Sequence, residues 1–288
     1  MKKLMTLCPF PCRASARSSS GLQTSLLSPI WVVAFILTMG ASVYSETPAP
    51  LVEFTFNDAT NTGSLGGAGA LVANSDKTPV LNASAGLCGG GALDLTSNTM
   101  GAPGCYFKMD DNNALDGMTS FTVAFWMKKT AAFGSASARM VCKRGDFWID
   151  GWEVYSNDDA APARLSGFIG DHKDYGIFTR DHKDYGTTNQ WVFVAMTFDA
   201  KTSQTAFYVG TETTPVSLVA PGVNGMPKNP HADATAALTV GSSLYGTSAF
   251  QGYLDNVRVW GSKTESSAIL SLAELETCRL NDTLPAKK

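Results

Sequence analysis

The sequence is poor in charged residues and lacks the short motifs of several catalytic classes. Only 16% of its 288 residues are Asp, Glu, Lys or Arg, and histidine occurs three times. It contains no G-x-S-x-G, no H-E-x-x-H and no C-x-x-C. These patterns mark a serine nucleophile, a zinc protease and a thiolate metal or redox site, so all three chemistries are disfavoured.

The first 45 residues lack an apolar run of membrane-spanning length and predict an export signal. Four basic residues precede the apolar run 30–37, and Val43-Tyr44-Ser45 offers a cleavage site before Glu46. This run is shorter than the ~20 residues that span a bilayer. We expect a signal peptide over 1–45 and a mature protein that is secreted, periplasmic or on the cell surface, with no membrane span after cleavage. An uncleaved anchor is the alternative.

Positive charge is scarce in the part of the chain that would be exported. Residues 46–288 contain 25 acidic and 18 basic residues, which gives a formal net charge of −7. Nucleic-acid binding depends on a positive surface, so a nucleic-acid partner is disfavoured. The length suits one large domain and leaves no room for a separate catalytic domain.

Four cysteines remain after the leader, and we treat them as structural. They are Cys88, Cys105, Cys142 and Cys278. An even number of cysteines in an oxidising compartment predicts two disulfides. Three pairings are open, and Cys88 with Cys105 and Cys142 with Cys278 is one of them.

The residue pattern after residue 50 is typical of an all-β sandwich. Short runs rich in Val, Phe, Tyr, Trp and Thr recur between clusters of Gly, Asn, Asp, Ser and Pro. One helix is predicted near the C terminus, because Ser262 and Glu265 have capping-box spacing and Ala268, Leu272 and Leu275 follow at helical intervals. The sequence therefore predicts a two-sheet antiparallel jelly-roll sandwich with one short C-terminal helix.

Five segments resemble, in order, the strands of laminin-G-like domains in the concanavalin-A-like lectin and glucanase superfamily. They are the opening strand 51–58, the glycine-led strand 90–95, the strand 120–128 ending in Trp-Met-Lys, the strand 191–199 (W-x-x-V-A-x-T-x-D) and the last strand 252–260 (G-x-L-D-x-V-R-V-W). The resemblance covers residues 51 to about 277. It implies one domain of this type over residues 46–288.

Glucanases of this superfamily that resemble laminarinases carry catalytic carboxylates as E-x-D-x-x-E on one strand, and no such run occurs here. Retaining hydrolysis needs two carboxyl groups roughly 5 Å apart. The one close glutamate pair, Glu274 and Glu276, falls in the predicted helical tail. We therefore expect a protein that is not an enzyme.

Asp255 interrupts the apolar alternation of the last strand. A carboxylate buried there without a partner costs free energy, so it faces water, accepts backbone hydrogen bonds or binds a cation. The resemblance implies a structural Ca²⁺ held by Asp255 and oxygens of the first-strand turn, with Asn57 and Asp58 at the matching positions. Asn57 departs from the family, which often has aspartate there. The alternative is that Asp255 only accepts backbone hydrogen bonds.

A near-tandem D-H-K-D-Y-G repeat supplies candidate ligand-binding residues. They are Asp171, His172, Asp174, Tyr175, Asp181, His182, Asp184 and Tyr185. Tyrosine rings and carboxylates are groups that sugar recognition uses, and the alternative is a duplicated hairpin that faces solvent. Trp148 is a further candidate for an exposed stacking residue, whereas Trp152 shares its parity with Val154 and is expected in the core.

Taken together, these features predict an exported recognition module that binds a glycan or an extracellular protein. An exported glycosidase or lyase with an unrecognised site is the alternative.

Overall fold

Fifteen β-strands form among the residues that the computed structural model describes, which are 46–133, 137–145, 150–157, 164–170, 179–180, 188–220 and 235–284. In chain order they are β1 (Val52–Phe54), β2 (Ala70–Val72), β3 (Val80–Asn82), β4 (Ala92–Asp94), β5 (Tyr106–Met109), β6 (Ser120–Lys129), β7 (Ala138–Lys143), β8 (Trp152–Asn157), β9 (Arg164–Ile169), β10 (Thr179–Arg180), β11 (Val192–Asp199), β12 (Gln204–Thr211), β13 (Ser217–Ala220), β14 (Leu238–Val240) and β15 (Gly252–Ser262). Helix α1 (Leu272–Thr283) follows the last strand. All of these elements belong to one unit that starts at residue 43.

The strands form two sheets. Sheet 1 has the spatial order β13-β12-β11-β6-β15-β4-β3, and β1 also pairs with β15. Sheet 2 has the order β10-β9-β8-β7-β14-β5-β2. The neighbours within each sheet run antiparallel. The predicted all-β jelly-roll sandwich with a short C-terminal helix is therefore confirmed.

The main core lies between the two sheets, and β6 shows how the sequence builds it. Phe121, Val123 and Phe125 alternate along the strand and all join the core cluster that both sheets share. Each such side chain stabilises the fold by about 1.5–3 kcal/mol when buried. Trp152 of sheet 2 is 4% exposed and stacks on Phe121 with ring centroids 5.1 Å apart, which confirms its predicted place in the core.

A second apolar cluster covers part of the outer face of sheet 1. Ala124 and Trp126 of β6 face this side, and Leu275 and Cys278 of α1 belong to the same cluster. The central strands of sheet 1 are therefore buried on both faces, which explains why β6 reads as a nearly continuous apolar run.

Strand β15 contains a bulge at Asn256. The register with β6 shifts between Asp255 and Arg258, and Asn256 has a left-handed φ of 47°. The extra residue lets Leu254 and Val257 both join the core although they are three positions apart, which would place them on opposite faces of a regular strand. The bulge thus accounts for the broken alternation around Asp255 in the sequence.

The predicted capping box at Ser262 and Glu265 is wrong. Ser262 is the last residue of β15, and its Oγ accepts the Glu265 N–H at 3.0 Å, which closes a turn. The capping box forms at Ser271 instead, whose Oγ accepts the Glu274 N–H at 3.3 Å while Glu274 Oε2 accepts the Ser271 N–H at 2.7 Å. Within the described ranges, no helix is long and apolar enough to cross a membrane.

The four cysteines are free thiols in the structure. Cys105 Sγ donates to Asn98 Oδ1 at 3.2 Å, and Cys142 Sγ lies 3.5 Å from Glu153 Oε2. Cys88 Sγ donates to the carbonyl oxygen of Thr283 at 3.4 Å, so it lies beside α1, the helix that carries Cys278. The two disulfides stay a prediction.

Candidate functional site

The ligand-binding residues predicted from the repeat, and Trp148, lie outside the residues that the structure describes. They are Trp148, Asp171, His172, Asp174, Tyr175, Asp181, His182, Asp184 and Tyr185. By chain order the two repeats fall between β9 and β10 and between β10 and β11. Their role in ligand binding stays a prediction.

Asp255 is 3% exposed and lies beside the bulge of β15. Its Oδ2 accepts the backbone N–H of Leu87 at 2.9 Å, and its Oδ1 accepts the N–H of Asn256 at 2.7 Å. Burial raises the pKa of this carboxyl to about 7, against the lowering effect of the two hydrogen bonds. This geometry matches the alternative in which Asp255 accepts backbone hydrogen bonds.

The two other predicted calcium ligands also bind backbone N–H groups. Asn57 Oδ1 accepts the N–H of Gly91 at 2.9 Å, and Asp58 Oδ1 accepts the N–H of Thr60 at 2.7 Å. In the described part of the chain, no group of three or more His, Cys, Asp or Glu side chains is placed to hold a metal ion. Calcium prefers six to eight oxygen ligands, so these side chains as arranged do not fit such a site by themselves. Calcium binding stays a prediction from the resemblance.

Glu153 belongs to a buried ion cluster in sheet 2. Its Oε2 accepts a hydrogen bond from Arg139 Nε at 2.7 Å and lies 2.9 Å from Arg144 Nε. The side chains of Glu153 and Arg144 have no exposed surface. Burial acts to raise the pKa of Glu153, but the two guanidinium groups hold it below its usual value. A catalytic acid needs a raised pKa and contact with substrate, so Glu153 does not suit that role.

A row of polar and aromatic side chains crosses the outer face of sheet 1, next to the second apolar cluster. Tyr253 of β15 pairs with Asp94 of β4 on one side and with Lys128 of β6 on the other. Trp191 directly precedes Val192, which pairs with Met127, so Trp191 stands next to Lys128. We call Asp94, Tyr253, Lys128 and Trp191 the aromatic–lysine row.

Lys128 occupies the centre of the aromatic–lysine row. Its Nζ lies 4.6 Å from the ring centroid of Tyr253 and 4.9 Å from that of Trp191. Both distances are within the range of cation–π attraction. Among the described residues, Lys128 has neither an ion-pair partner nor a hydrogen-bond acceptor for its ammonium group.

Both carboxylate oxygens of Asp94 accept hydrogen bonds from neighbouring residues. Oδ1 accepts the Thr96 N–H at 3.0 Å and the Thr96 hydroxyl at 2.7 Å, and Oδ2 accepts the Asn82 amide at 3.2 Å. Burial, with a smaller effect from the charge of Asp94, raises the pKa of Tyr253 above its usual value. The phenol therefore stays protonated at neutral pH and can donate a hydrogen bond.

The aromatic–lysine row is accessible from solvent. Lys128, Tyr253 and Asp94 are half-buried, Trp191 is 6% exposed, and Val80 beside Asp94 on the edge strand is 50% exposed. The half-exposed ring of Tyr253, the Lys128 ammonium group and the Asp94 carboxylate thus meet on one sheet surface, while the Trp191 ring is buried beside Lys128. Apolar ring faces flanked by hydrogen-bonding groups suit the alternating apolar and hydroxyl surfaces of a sugar.

A concavity of about 550 Å³ lies near the other end of β6. Its lining includes Asp199, Lys201, Thr264 and Glu265, and it contains no aromatic residue. Asp199 Oδ1 already accepts hydrogen bonds from the Lys201 N–H at 2.9 Å and the Ser266 hydroxyl at 3.2 Å. The aromatic–lysine row is therefore the better candidate for recognition of a sugar.

Lys128, Trp191 and Tyr253 lie in segments whose sequence patterns predict strands, but no sequence motif marks them as a site. Each stands at one end of its strand, and they are separated by about sixty residues along the chain. Only the pairing register brings them together. The sequence does contain one indication of the site, because polar or aromatic residues occur at the ends of strands that are otherwise strongly apolar.

The two-sheet sandwich with an open polar and aromatic face is the architecture of a lectin-like jelly roll. A family model for laminin-G-type domains, described as concanavalin A-like lectin/glucanases superfamily, matches residues 102–269, more than half of the 288 residues. The chain belongs to this superfamily. A comparison with curated proteins found no match.

Solved structures share the fold at low sequence identity. Domain 4 of AbnA, an extracellular GH43 arabinanase of Geobacillus stearothermophilus, in complex with arabinotriose, is 14% identical with a TM-score of 0.53, over 80% of this chain and all of that domain. The binding domain of botulinum neurotoxin DC in complex with SialylT is 10% identical with a TM-score of 0.56, over 81% of this chain and 51% of that one. The botulinum neurotoxin serotype C1 binding domain gives 10% identity and a TM-score of 0.54. The chain spans about half the length of these toxin domains.

Proposed function

We propose that residues 46–288 form an exported recognition domain that binds a glycan and catalyses no reaction. The aromatic–lysine row carries this proposal, because it is an open surface that combines aromatic rings with unused hydrogen-bond donors. The fold adds support, since the matched arabinanase domain was solved with arabinotriose. Fold alone does not define function, so the proposal depends on the row.

Binding of a glycan array by residues 46–288 tests the proposal, with Tyr253→Ala as the key variant. We expect the parent protein to bind a defined set of glycans and Tyr253→Ala to bind them about tenfold more weakly, because a stacking ring is worth about 1 kcal/mol or more. Tyr245→Ala is the matched control, since Tyr245 is 61% exposed and lies outside the row. An equal loss in both variants, or no glycan bound by the parent, would contradict the proposal.

The alternative of an exported glycosidase or lyase has its own test. The buried and ion-paired state of Glu153 supports a protein without hydrolase activity. Incubation with a panel of polysaccharides should release no reducing sugar. Clear turnover by the parent protein would favour the enzyme, and its loss in Glu153→Gln with the fold retained would assign the acid.

The structural calcium ion of the resemblance is part of the proposal and is tested by thermal unfolding. An ion that binds only the folded protein raises the melting temperature when calcium is in excess, and a chelator lowers it. Asp255→Asn should remove this shift, and Asp58→Asn should reduce it. No shift in the parent, or the same shift in Asp255→Asn, would leave Asp255 with its backbone hydrogen bonds alone.

A further inference from the structure

We propose that the aromatic–lysine row recognises an acidic glycan, in which the carboxylate of a uronic or other carboxylated sugar binds Lys128 Nζ. This inference rests on the proposed glycan-binding function and names the class of ligand. It arises from the charged group of the row, the Lys128 ammonium, which has no counter-ion among the described residues.

The charge of Lys128 is held in place but has no counter-ion among the described residues. An ammonium group has three N–H donors, and the π faces of Tyr253 and Trp191 attract the charge without offering the strong acceptor that a carboxylate provides. The two rings also shield the group from water, which strengthens its attraction for an anion. The site therefore favours an anionic group that approaches from the open face.

The nearest carboxylate in the row does not serve as that anion. Asp94 directs its oxygens to Thr96 and to the Asn82 amide, and no ion pair joins it to Lys128. Lys143 illustrates the opposite arrangement, since it is buried with Asp116 and Asp111 at 2.8 Å and 2.9 Å. The anion that forms an ion pair with the Lys128 ammonium group would thus come from a ligand.

The shape of the row favours a sugar chain over an isolated anion. Its residues follow one another across the strands β4, β15 and β6 to the start of β11, and with β3 this spans about 19 Å at the usual strand spacing of ~4.8 Å. Tyr253 offers a half-exposed ring beside Lys128, and the exposed side chain of Val80 continues the row on β3, opposite Asp94. Several linked sugars fit along such a row, with the carboxylate of one at Lys128.

The overall negative charge of the protein confines the binding of an acidic glycan to the surroundings of Lys128. Residues 46–288 carry a formal net charge of −7, so an acidic polymer is repelled by most of the surface. Attraction at Lys128 must therefore be local. Binding should weaken as salt increases, because a half-buried ion pair is partly screened.

Matched acidic and neutral glycans provide the test. Titration calorimetry would compare galacturonate oligosaccharides with the same oligosaccharides as methyl esters, and hyaluronan oligosaccharides with their carboxyl-reduced forms. We expect at least one acidic form to bind tenfold or more tightly than its neutral partner. Lys128→Met should remove that preference, because it keeps the aliphatic stem against the rings but has no charge. Lys128→Arg should retain it.

The control variant is Lys108→Met. Lys108 lies on sheet 2, where its Nζ pairs with Asp110 at 3.0 Å, so its replacement should leave both affinities unchanged. Melting temperatures of all variants would show that they fold, and Lys128→Arg would carry the test if Lys128→Met did not fold.

Different results would contradict the acidic-glycan inference and the proposed glycan-binding function. Equal binding of acidic and neutral forms, or a preference that survives in Lys128→Met, overturns the acidic-glycan inference and leaves glycan binding intact. Binding of polyglutamate as tightly as of the acidic glycans would assign the row to acidic proteins and overturn it too. Failure to bind any glycan, on these pairs and on the array, removes the proposed function itself.

Discussion

Replacing Asp282 by asparagine should lower the free energy of unfolding by about 3–5 kcal/mol, because it breaks a buried ion pair and leaves a guanidinium group poorly matched. Arg258 donates from Nη2 to Asp282 Oδ1 at 2.7 Å and from Nη1 to Oδ2 at 2.8 Å. The two side chains are 12% and 5% exposed. Urea denaturation monitored by tryptophan fluorescence would measure the loss.

The size of the effect follows from how many elements meet at Asp282. Its Oδ2 also accepts the Trp126 indole N–H at 2.8 Å, while Arg258 Nε donates to Glu53 Oε1 at 2.7 Å. Burial acts to lower the pKa of Arg258, but the two carboxylates raise it above its usual value. The cluster thus joins α1 to β1, β6 and β15, and Asp282→Asn weakens its direct links from α1 to β6 and β15.

Asp110→Asn is the control for Asp282→Asn. Asp110 also pairs with a cation, Lys108 at 3.0 Å, but its side chain is 89% exposed. Exposed pairs contribute little because water and salt screen them, so this variant should unfold at nearly the same urea concentration as the parent. A similar small loss for Asp282→Asn would show that the Arg258 cluster is not important for stability.

Replacing Glu153 by glutamine should be equally damaging, with a loss of about 3–5 kcal/mol. Glutamine keeps the size of the side chain but removes the charge that faces Arg139 and Arg144, and it turns an N–H donor toward one of them. The thiol of Cys142 lies beside this cluster, and burial raises its pKa to about 12. Chemical unfolding of Glu153→Gln and of the exposed control Glu212→Gln would measure the difference.

The control Glu212→Gln changes the same functional group on the surface and should leave the unfolding midpoint unchanged. A parent-like midpoint for Glu153→Gln would mean that the two arginines are satisfied by other groups. The same variant separates a structural role of Glu153 from a catalytic one. A structural role predicts lower stability, and a catalytic one predicts lost turnover with stability kept.

The strands were predictable from the sequence because burial leaves a local signal. In β6, Phe121, Val123 and Phe125 alternate on the core side, and aromatic and β-branched residues favour extended structure. The helix was predicted near the right place but with the wrong start. Ser262 and Ser271 both precede a glutamate by three residues, and only tertiary context assigns the first to a strand end and the second to the helix cap.

The candidate site was less predictable because it depends on register. Asp255 stands out in the sequence as an isolated carboxylate in an apolar strand. In the structure it lies beside a bulge, which the local sequence pattern does not predict. Lys128 and Tyr253 are direct neighbours across β6 and β15, yet more than a hundred residues separate them in the chain. Pairing across such distances is set by the whole sheet, so local patterns do not reveal it.

The central position of β15 also sets the order in which the protein can fold. Val52 near the start of the domain pairs with Val259, and β15 lies between β6 and β4 in the interior of sheet 1. Sheet 1 therefore cannot close until the last strand has been synthesised, and contacts of such high sequence separation form slowly. Until then, β6 and β4 present open edges. A chain of this design cannot complete sheet 1 until its synthesis is almost finished, so these edges need protection from aggregation for most of that time.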